Sequence, residues 1–138
     1  MPNHAFDYDL DSVLPFAQSL IPGLARCDGM RSIGLRRDGE LVAAAIYEGF
    51  NGQNIWAHLA GVPGRRWMTR DFLRAGFAYP FLVCGAQRVS GYVNASNTEA
   101  RRLNEHFGYR VEAALRGAAH DGGDVILYVM WRKDCRYV

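Results

Sequence analysis

The sequence has little lysine, no long apolar run and almost no net charge. Of its 16 basic residues only Lys133 is a lysine, and 14 acidic residues leave a formal net charge of +2. So small a charge gives too weak a field to favour a nucleic-acid-binding protein. The longest apolar run, Leu41 to Tyr47, is far shorter than the roughly 20 residues of a membrane-spanning helix. The sequence therefore predicts no membrane partner and makes a nucleic-acid partner unlikely.

Cysteine is also scarce, and its pattern favours reduced thiols. Cys27, Cys84 and Cys135 are odd in number and contain no Cys-x-x-Cys pair, so they do not indicate a disulfide framework. The acidic start of the chain lacks the basic and apolar regions of a signal peptide. The 4 histidines do not fall at metal-ligand spacing with the cysteines. These features predict a cytoplasmic protein without a metal.

The remaining composition is that of an ordinary globular domain. The chain has 138 residues, of which 49% are hydrophobic and 22% charged. A chain of this size buries enough surface to fold without a metal or disulfide. We therefore expect one domain spanning residues 1–138.

The first half of the chain predicts a helix followed by three strands. Residues 9–21 carry apolar residues near helical spacing after two aspartates. Residues 31–62 contain three apolar runs separated by Asp-Gly at 38–39 and Asn-Gly at 51–52, which indicates an antiparallel meander. Residues 4–10 are either a first strand or disordered.

The second half alternates helices and strands. Residues 69–84 predict a helix that Pro80 divides or kinks, and 88–93 predict a short strand. The sequence Ser96-Asn97-Thr98-Glu99 matches a capping box with Ser96 as the cap, opening a helix that stops at Gly108. Strand-like runs at 109–115 and 125–131 close the chain as a hairpin. The order predicts an α+β fold with a mixed central sheet and helices on both faces.

An arginine-rich segment joins the third strand of the meander to the following helix. It reads Val62-Pro63-Gly64-Arg65-Arg66-Trp67-Met68-Thr69-Arg70. Unpaired N–H groups at a helix start bind anions, and arginines add charge-assisted hydrogen bonds to phosphate. Taken alone, the segment is more typical of a solvated basic loop in which Thr69 caps the helix than of an anion site.

A second sequence pattern shifts the interpretation of this segment toward a phosphate-binding site. The spacing Asn97-x-x-Ala100-x-x-Leu103-x-x-x-x-Gly108-Tyr109, placed after a strand, an arginine-rich turn, a helix and a strand, resembles the GNAT acetyltransferase superfamily. The resemblance covers residues 31–132. The later part of the chain looks most like the ribosomal-protein alanine acetyltransferase branch and small bacterial or phage relatives.

The resemblance implies a cofactor and a place for it. Strands 55–62 and 88–93 would be parallel and separate at their ends, and the pantetheine arm of acetyl-CoA would lie between them. The pyrophosphate would rest on backbone amides around 66–70. The implied cofactor-binding residues are Val62, Arg65, Arg66, Trp67, Met68, Thr69, Arg70, Asn97 and Asn104.

Two departures from the family pattern bear on the chemistry. Residues 65–70 lack the glycines that let the backbone approach phosphates closely. Asn104 stands where many members carry a tyrosine that protonates the leaving thiolate. An amide can hydrogen-bond the thioester or the sulfur but cannot act as an acid, so catalysis would depend on positioning the reactants.

Glu48 and His58 are the candidate general bases. Each lies on a strand of the meander, and an imidazole changes its charge near neutral pH, which suits proton transfer from an ammonium. The plainer readings are a solvated strand end for Glu48 and a hydrogen-bonded sheet histidine for His58. With Asn104 they form the predicted catalytic set.

The sequence therefore predicts an N-acetyltransferase that moves an acetyl group from acetyl-CoA to an amine by direct attack in a ternary complex. The acceptor is a small molecule or a protein N-terminus. A non-catalytic CoA-binding or interaction module is the alternative, and a nucleic-acid-binding protein ranks below both. A homodimer formed through the C-terminal strand, with Trp131 and Tyr137 at its edge, is a further possibility.

Overall fold

The structure is a computed structural model that describes residues 4–138. The strands are β1 (His4–Asp7), β2 (Arg31–Arg37), β3 (Glu40–Glu48), β4 (Asn54–Gly61), β5 (Arg88–Asn94), β6 (Arg110–Leu115) and β7 (Val125–Trp131). The helices are α1 (Leu10–Leu20), α2 (Arg70–Ala78) and α3 (Thr98–Phe107), with a π-helical turn at Tyr79–Val83 and a 3-10 turn at Arg132–Asp134. This order confirms the predicted α+β fold, and it resolves the N-terminal alternative in favour of a first strand.

All seven strands belong to one mixed sheet. Their spatial order is β1-β2-β3-β4-β5-β7-β6, and only the β4–β5 pair is parallel. The predicted meander is present as β2, β3 and β4. At its first turn Asp38 has φ 52° and Gly39 has φ 84°, the left-handed pair that a two-residue hairpin turn requires. The predicted C-terminal hairpin is β6 with β7.

Helices cover the sheet on both faces, as the sequence predicts. Val13 and Ala17 of α1 pack on Ala44 and Ile46 of β3, on what we call the α1 face. The α2 face carries the larger core, because Phe72 and Phe77 of α2 and Phe107 of α3 pack there with the other side of the sheet. Alternation along β3 sends successive side chains to opposite faces, so neighbouring residues serve different layers.

The helix predicted over 69–84 forms in two pieces, as expected from its proline. Pro80 lacks an N–H group, and the regular α pattern gives way to a π-helical turn, in which the Cys84 N–H donates to the Tyr79 carbonyl at 3.0 Å. Pro80 and Phe81 are buried. The divided helix therefore keeps its apolar face on the sheet.

The predicted capping role of Ser96 is wrong. Asn97 caps α3, since its side-chain oxygen accepts a hydrogen bond from the Ala100 N–H at 3.1 Å. The Ser96 hydroxyl instead donates to Asp121 in the β6–β7 connection, at 3.1 Å. A contact between segments distant in sequence displaces the cap by one residue.

The idea of a free edge on the C-terminal strand is also wrong. β7 lies between β5 and β6 and pairs with both; the free edges belong to β1 and β6. Tyr137 stacks on Phe77, with ring centroids 5.0 Å apart.

None of the helices within residues 4–138 combines the length and apolar character needed to span a membrane.

Candidate active site

The central feature of the site is the point where β4 and β5 part. These strands pair only at Asn54 with Arg88, Ile55 with Val89 and Trp56 with Ser90. β4 then runs on to Gly61 and β5 to Asn94. Beyond the third pair, β4 stays paired with β3 and β5 stays paired with β7, but β4 and β5 no longer pair with each other. Such an opening between parallel strands can accept an extended, amide-containing ligand between two strand edges.

A narrow cavity lies on the α2 face at this opening. Its volume is about 40 Å³, and its walls include Ala57 and Leu59 of β4, Val89 of β5, Leu73 of α2 and Tyr109. Burial and the nearby Cys135 raise the pKa of Tyr109, so its hydroxyl keeps its proton at neutral pH. The cavity is thus apolar, with a phenol in its wall.

The arginine-rich segment forms the loop from β4 to α2 at the open end of the cleft. Thr69 caps α2 by accepting a hydrogen bond from the Phe72 N–H at 3.2 Å. Within residues 4–138, the N–H groups of Met68, Arg70 and Asp71 donate to no backbone acceptor. A helix start with free N–H groups is a favourable place for an anion.

The basic side chains of this loop differ in what they contact. Arg66 and Arg70 are exposed. Arg65 forms an exposed ion pair with Glu40, at 3.1 Å. Val62 ends the meander by donating its N–H to the Val42 carbonyl at 2.8 Å. Arg66 and Arg70 are therefore the loop arginines without an ion pair among the described residues.

Trp67 and Met68 point in different directions. The Trp67 side chain is 9% exposed and belongs to the core on the α2 face, whereas Met68 is 50% exposed. The Trp67 indole is therefore closed to a ligand, while the Met68 side chain is accessible.

The structure brings Glu48 and His58 together. The His58 Nε2 and Glu48 Oε2 atoms are 3.0 Å apart, with 7% of the histidine and 31% of the glutamate side chain exposed. The register places them diagonally on β3 and β4, since His58 faces Ile46 and Glu48 faces Trp56. Both side chains therefore lie on the α1 face.

Tyr92 extends this cluster. Its ring meets His58 edge-on at 5.5 Å, and it is 53% exposed. Partial burial, and then the charge of Glu48, raise the pKa of Tyr92, so it stays a neutral hydrogen-bond donor. A carboxylate, an imidazole and a phenol thus share one partly accessible surface where β4 leaves β5.

Asn97 and Asn104 lie apart from that cluster, on α3. The backbone carbonyl of Asn104 accepts hydrogen bonds from the Gly108 N–H, at the end of the helix, and from the Tyr109 N–H at 3.0 Å. Because α3 packs on the α2 face, Asn104 is on the same side of the sheet as the cavity. The predicted catalytic set is therefore divided between the two faces, with the parting strands between them.

A polar network that the sequence does not predict lies at the closed end of the cleft, where β4 and β5 begin. Arg88 donates to Asn54 and to the buried Ser90, each at 3.1 Å, and forms a bidentate pair with Glu112 at 2.7 and 2.9 Å. Its guanidinium lies 5.2 Å from the Trp131 ring centroid. Polar residues at the starts of β4 and β5 are the only sequence signal for it, and only the strand pairing shows that they meet.

Comparison with known proteins gives matches among solved structures, and these bear on the fold. No protein-family model matches the sequence, and no curated protein matches it. Among solved structures, a variant of spermidine N-acetyltransferase SpeG from Vibrio cholerae superposes with a TM-score of 0.77 at 12% identity, covering 98% of this chain and 96% of the other. The manganese complex of spermidine/spermine N-acetyltransferase SpeG from the same organism gives 0.75 at 13% identity, covering 93% and 92%.

A third similar structure is described as dodecameric spermidine N-acetyltransferase from Vibrio cholerae, with a TM-score of 0.76 at 12% identity and 94% of each chain covered. These neighbours belong to the GNAT acetyltransferases. The mixed seven-stranded sheet and the three helices are consistent with the GNAT fold of these neighbours. The chain therefore has the GNAT fold, as the pattern around Asn97 and Gly108 implies.

Proposed function

We propose that this protein is a single-domain N-acetyltransferase that moves an acetyl group from acetyl-CoA to an amine. The observation that carries the proposal is the parting of β4 from β5 after three residue pairs. It opens a cleft between an anion-binding loop on one side and the Glu48–His58 pair on the other. The acetyltransferase names of the structural neighbours support the same activity.

The residues present suit acetyl-CoA as the acetyl donor. The free N–H groups of Met68, Arg70 and Asp71, with the side chains of Arg66 and Arg70, offer donors for its phosphates. The open edges of β4 and β5 offer backbone groups to the amides of the pantetheine arm. The cavity beside Leu59 and Val89 has apolar walls for the acetyl methyl group.

The reaction is direct attack. The amine nitrogen bonds to the thioester carbonyl carbon, the C–S bond breaks, and CoA leaves as the thiolate, which takes up a proton released by the attacking nitrogen. The amine loses a proton, for which Glu48 and His58 provide adjacent acceptors, directly or through a water. Asn104 would hydrogen-bond the thioester or the sulfur, and holding the amine and the thioester together would supply much of the rate enhancement.

The proposed acceptor group is a primary amine, either on a small molecule or at a protein N-terminus. Spermidine is the amine in the names of the neighbours, and the acidic Glu48 beside an exposed Tyr92 fits a cationic group. A second copy of the chain is a compatible partner, since one neighbour is dodecameric. The three free cysteines fit a cytoplasmic location.

A non-catalytic CoA-binding module is the second candidate, because Asn104 supplies no acid. Thermal unfolding at fixed salt, with acetyl-CoA, CoA or inorganic phosphate, tests binding first. Acetyl-CoA at about 100 times its dissociation constant should add roughly 2.7 kcal/mol and raise the midpoint by several degrees. CoA should act similarly, and phosphate should not.

Release of free CoA thiol over a panel of amines then separates the candidates. Amine-dependent release supports the transferase. Binding without release over a broad panel favours the module, and no shift with either CoA species contradicts both. A nucleic-acid-binding protein would instead bind tightly in low salt, lose that binding steeply as salt rises and ignore CoA.

A further inference from the structure

The side chain of Trp67 occupies an unusual place for a residue in a basic loop. Its neighbours in sequence, Arg66 and Met68, are exposed, whereas Trp67 is 9% exposed and packs in the core. The loop therefore turns one large apolar side chain inward, between residues that face solvent.

The indole lies directly against Gly61, the last residue of β4. A Cβ atom at position 61 would be 2.1 Å from Cε2 and 2.2 Å from Nε1 of Trp67, far inside van der Waals contact. The Trp67 ring also meets the Phe72 ring edge-on, at 6.4 Å and 81°. One side chain thus joins the end of β4 to the first turn of α2 across the loop, and only glycine at 61 permits it.

The backbone of the loop is fixed around this anchor. The Trp67 carbonyl accepts a hydrogen bond from the Thr69 N–H at 2.8 Å, and Thr69 in turn caps α2. The Arg65 N–H donates to the Val62 carbonyl at 3.1 Å. The residues that would meet a phosphate are therefore held on both sides of Trp67.

We propose that Trp67, seated on Gly61, is a positioning residue that fixes the Arg65–Arg70 segment for the diphosphate of CoA. The role rests on the proposed function. The Arg65–Arg70 segment contains no glycine, and an anchored backbone reduces the ordering cost that a mobile loop would add on binding. The indole itself touches no ligand; it holds the N–H groups and arginines that do.

Two substitutions remove the anchor in different ways. Trp67→Phe shortens the side chain, and Gly61→Ala displaces the indole without altering it. Trp131→Phe is the matched control, because Trp131 lies on β7 beside Arg88 at the closed end of the cleft, away from the loop, and is 39% exposed. Gly61→Ala provides a second test should Trp67→Phe fail to fold.

The first measurement needs no CoA. Brief trypsin digestion of the native protein, with the products identified by mass, reports the mobility of the loop through cleavage after Arg65 and Arg66. We expect both anchor variants to be cut there about tenfold or more faster, with cleavage after the exposed Arg116 unchanged. Equal rates at Arg65 and Arg66 in variants and unaltered protein would overturn the inference, whatever the protein binds.

The second measurement is calorimetric titration with acetyl-CoA, carried out at a temperature well below each variant's unfolding midpoint. We expect the anchor variants to bind about tenfold or more weakly, and Trp131→Phe to bind as the unaltered chain does. A lower midpoint with unchanged affinity would mean that Trp67 serves stability alone. Absence of binding by the unaltered chain would contradict the proposed function, an outcome distinct from unchanged proteolysis.

Discussion

Glu48 and His58 are ten residues apart in sequence but share a hydrogen bond across β3 and β4. Replacing Glu48 with glutamine keeps the size of the side chain and removes its basicity. We expect Glu48→Gln to lower kcat by about 100-fold or more, the usual contribution of a general base. The KM for acetyl-CoA should change little, since the proposed cofactor loop is elsewhere. Steady-state kinetics checks this, with Glu105→Gln on α3 as control; a kcat within threefold of the unaltered protein contradicts the role.

At the same scale, Arg88 and Glu112 form the bidentate pair of the closed end. The hydrogen bond from Arg88 lowers the pKa of Glu112, so the pair stabilises the fold above the ordinary glutamate range. That contribution disappears as the pH falls through the lowered pKa. Because the Glu112 side chain is 41% exposed, Glu112→Gln should cost less than about 1 kcal/mol at neutral pH.

Urea unfolding of Glu112→Gln and the unaltered protein at pH 7 and at acid pH measures the difference. We expect the unaltered protein to be more stable than Glu112→Gln at pH 7, and we expect this stability difference to vanish at acid pH. A difference of equal size at both pH values would mean that the carboxylate charge contributes nothing.

At the scale of the element, the start of α3 has two proposed duties. Asn97 caps the helix and, by the family resemblance, also contacts acetyl-CoA. Serine caps about as well as asparagine, but alanine does not. We therefore expect Asn97→Ala to lose about 1 kcal/mol of stability and also affinity for acetyl-CoA, and Asn97→Ser to lose affinity alone. Unfolding and acetyl-CoA titration measured on the same samples separate the two roles. If Asn97→Ser binds acetyl-CoA with full affinity, Asn97 serves only as the helix cap.

The elements themselves follow closely from local sequence. The Asp-Gly turn at 38–39 needs two left-handed residues, and Pro80 breaks the regular α pattern just after α2. The cap of α3 was misplaced because Ser96 is held by Asp121, a residue 25 positions away. Local patterns cannot report a partner that only folding brings near.

At the scale of the whole molecule, the two halves of the sheet meet at the short β4–β5 pairing. Only three residue pairs join β4 to β5, yet the core on the α2 face runs across the junction, from Ile33 of β2 to Met130 of β7. We expect the halves to unfold together because this shared core couples them. Far-ultraviolet circular dichroism and tryptophan fluorescence should give coincident melting curves, since Trp56 and Trp131 report from opposite sides of the junction. Separate midpoints would indicate two independent units.

The sequence by itself determined the order of the elements, the meander, the divided helix and the candidate residues of the loop, because turns, prolines and hydrophobic periods act over a few residues. It also carried the GNAT resemblance, through the spacing from Asn97 to Gly108. Only the tertiary structure decided that Glu48 meets His58, that Arg88 closes one end of the cleft and that Trp67 lies on Gly61. Each of these contacts joins segments that the fold, not the local chain, brings within a few ångströms.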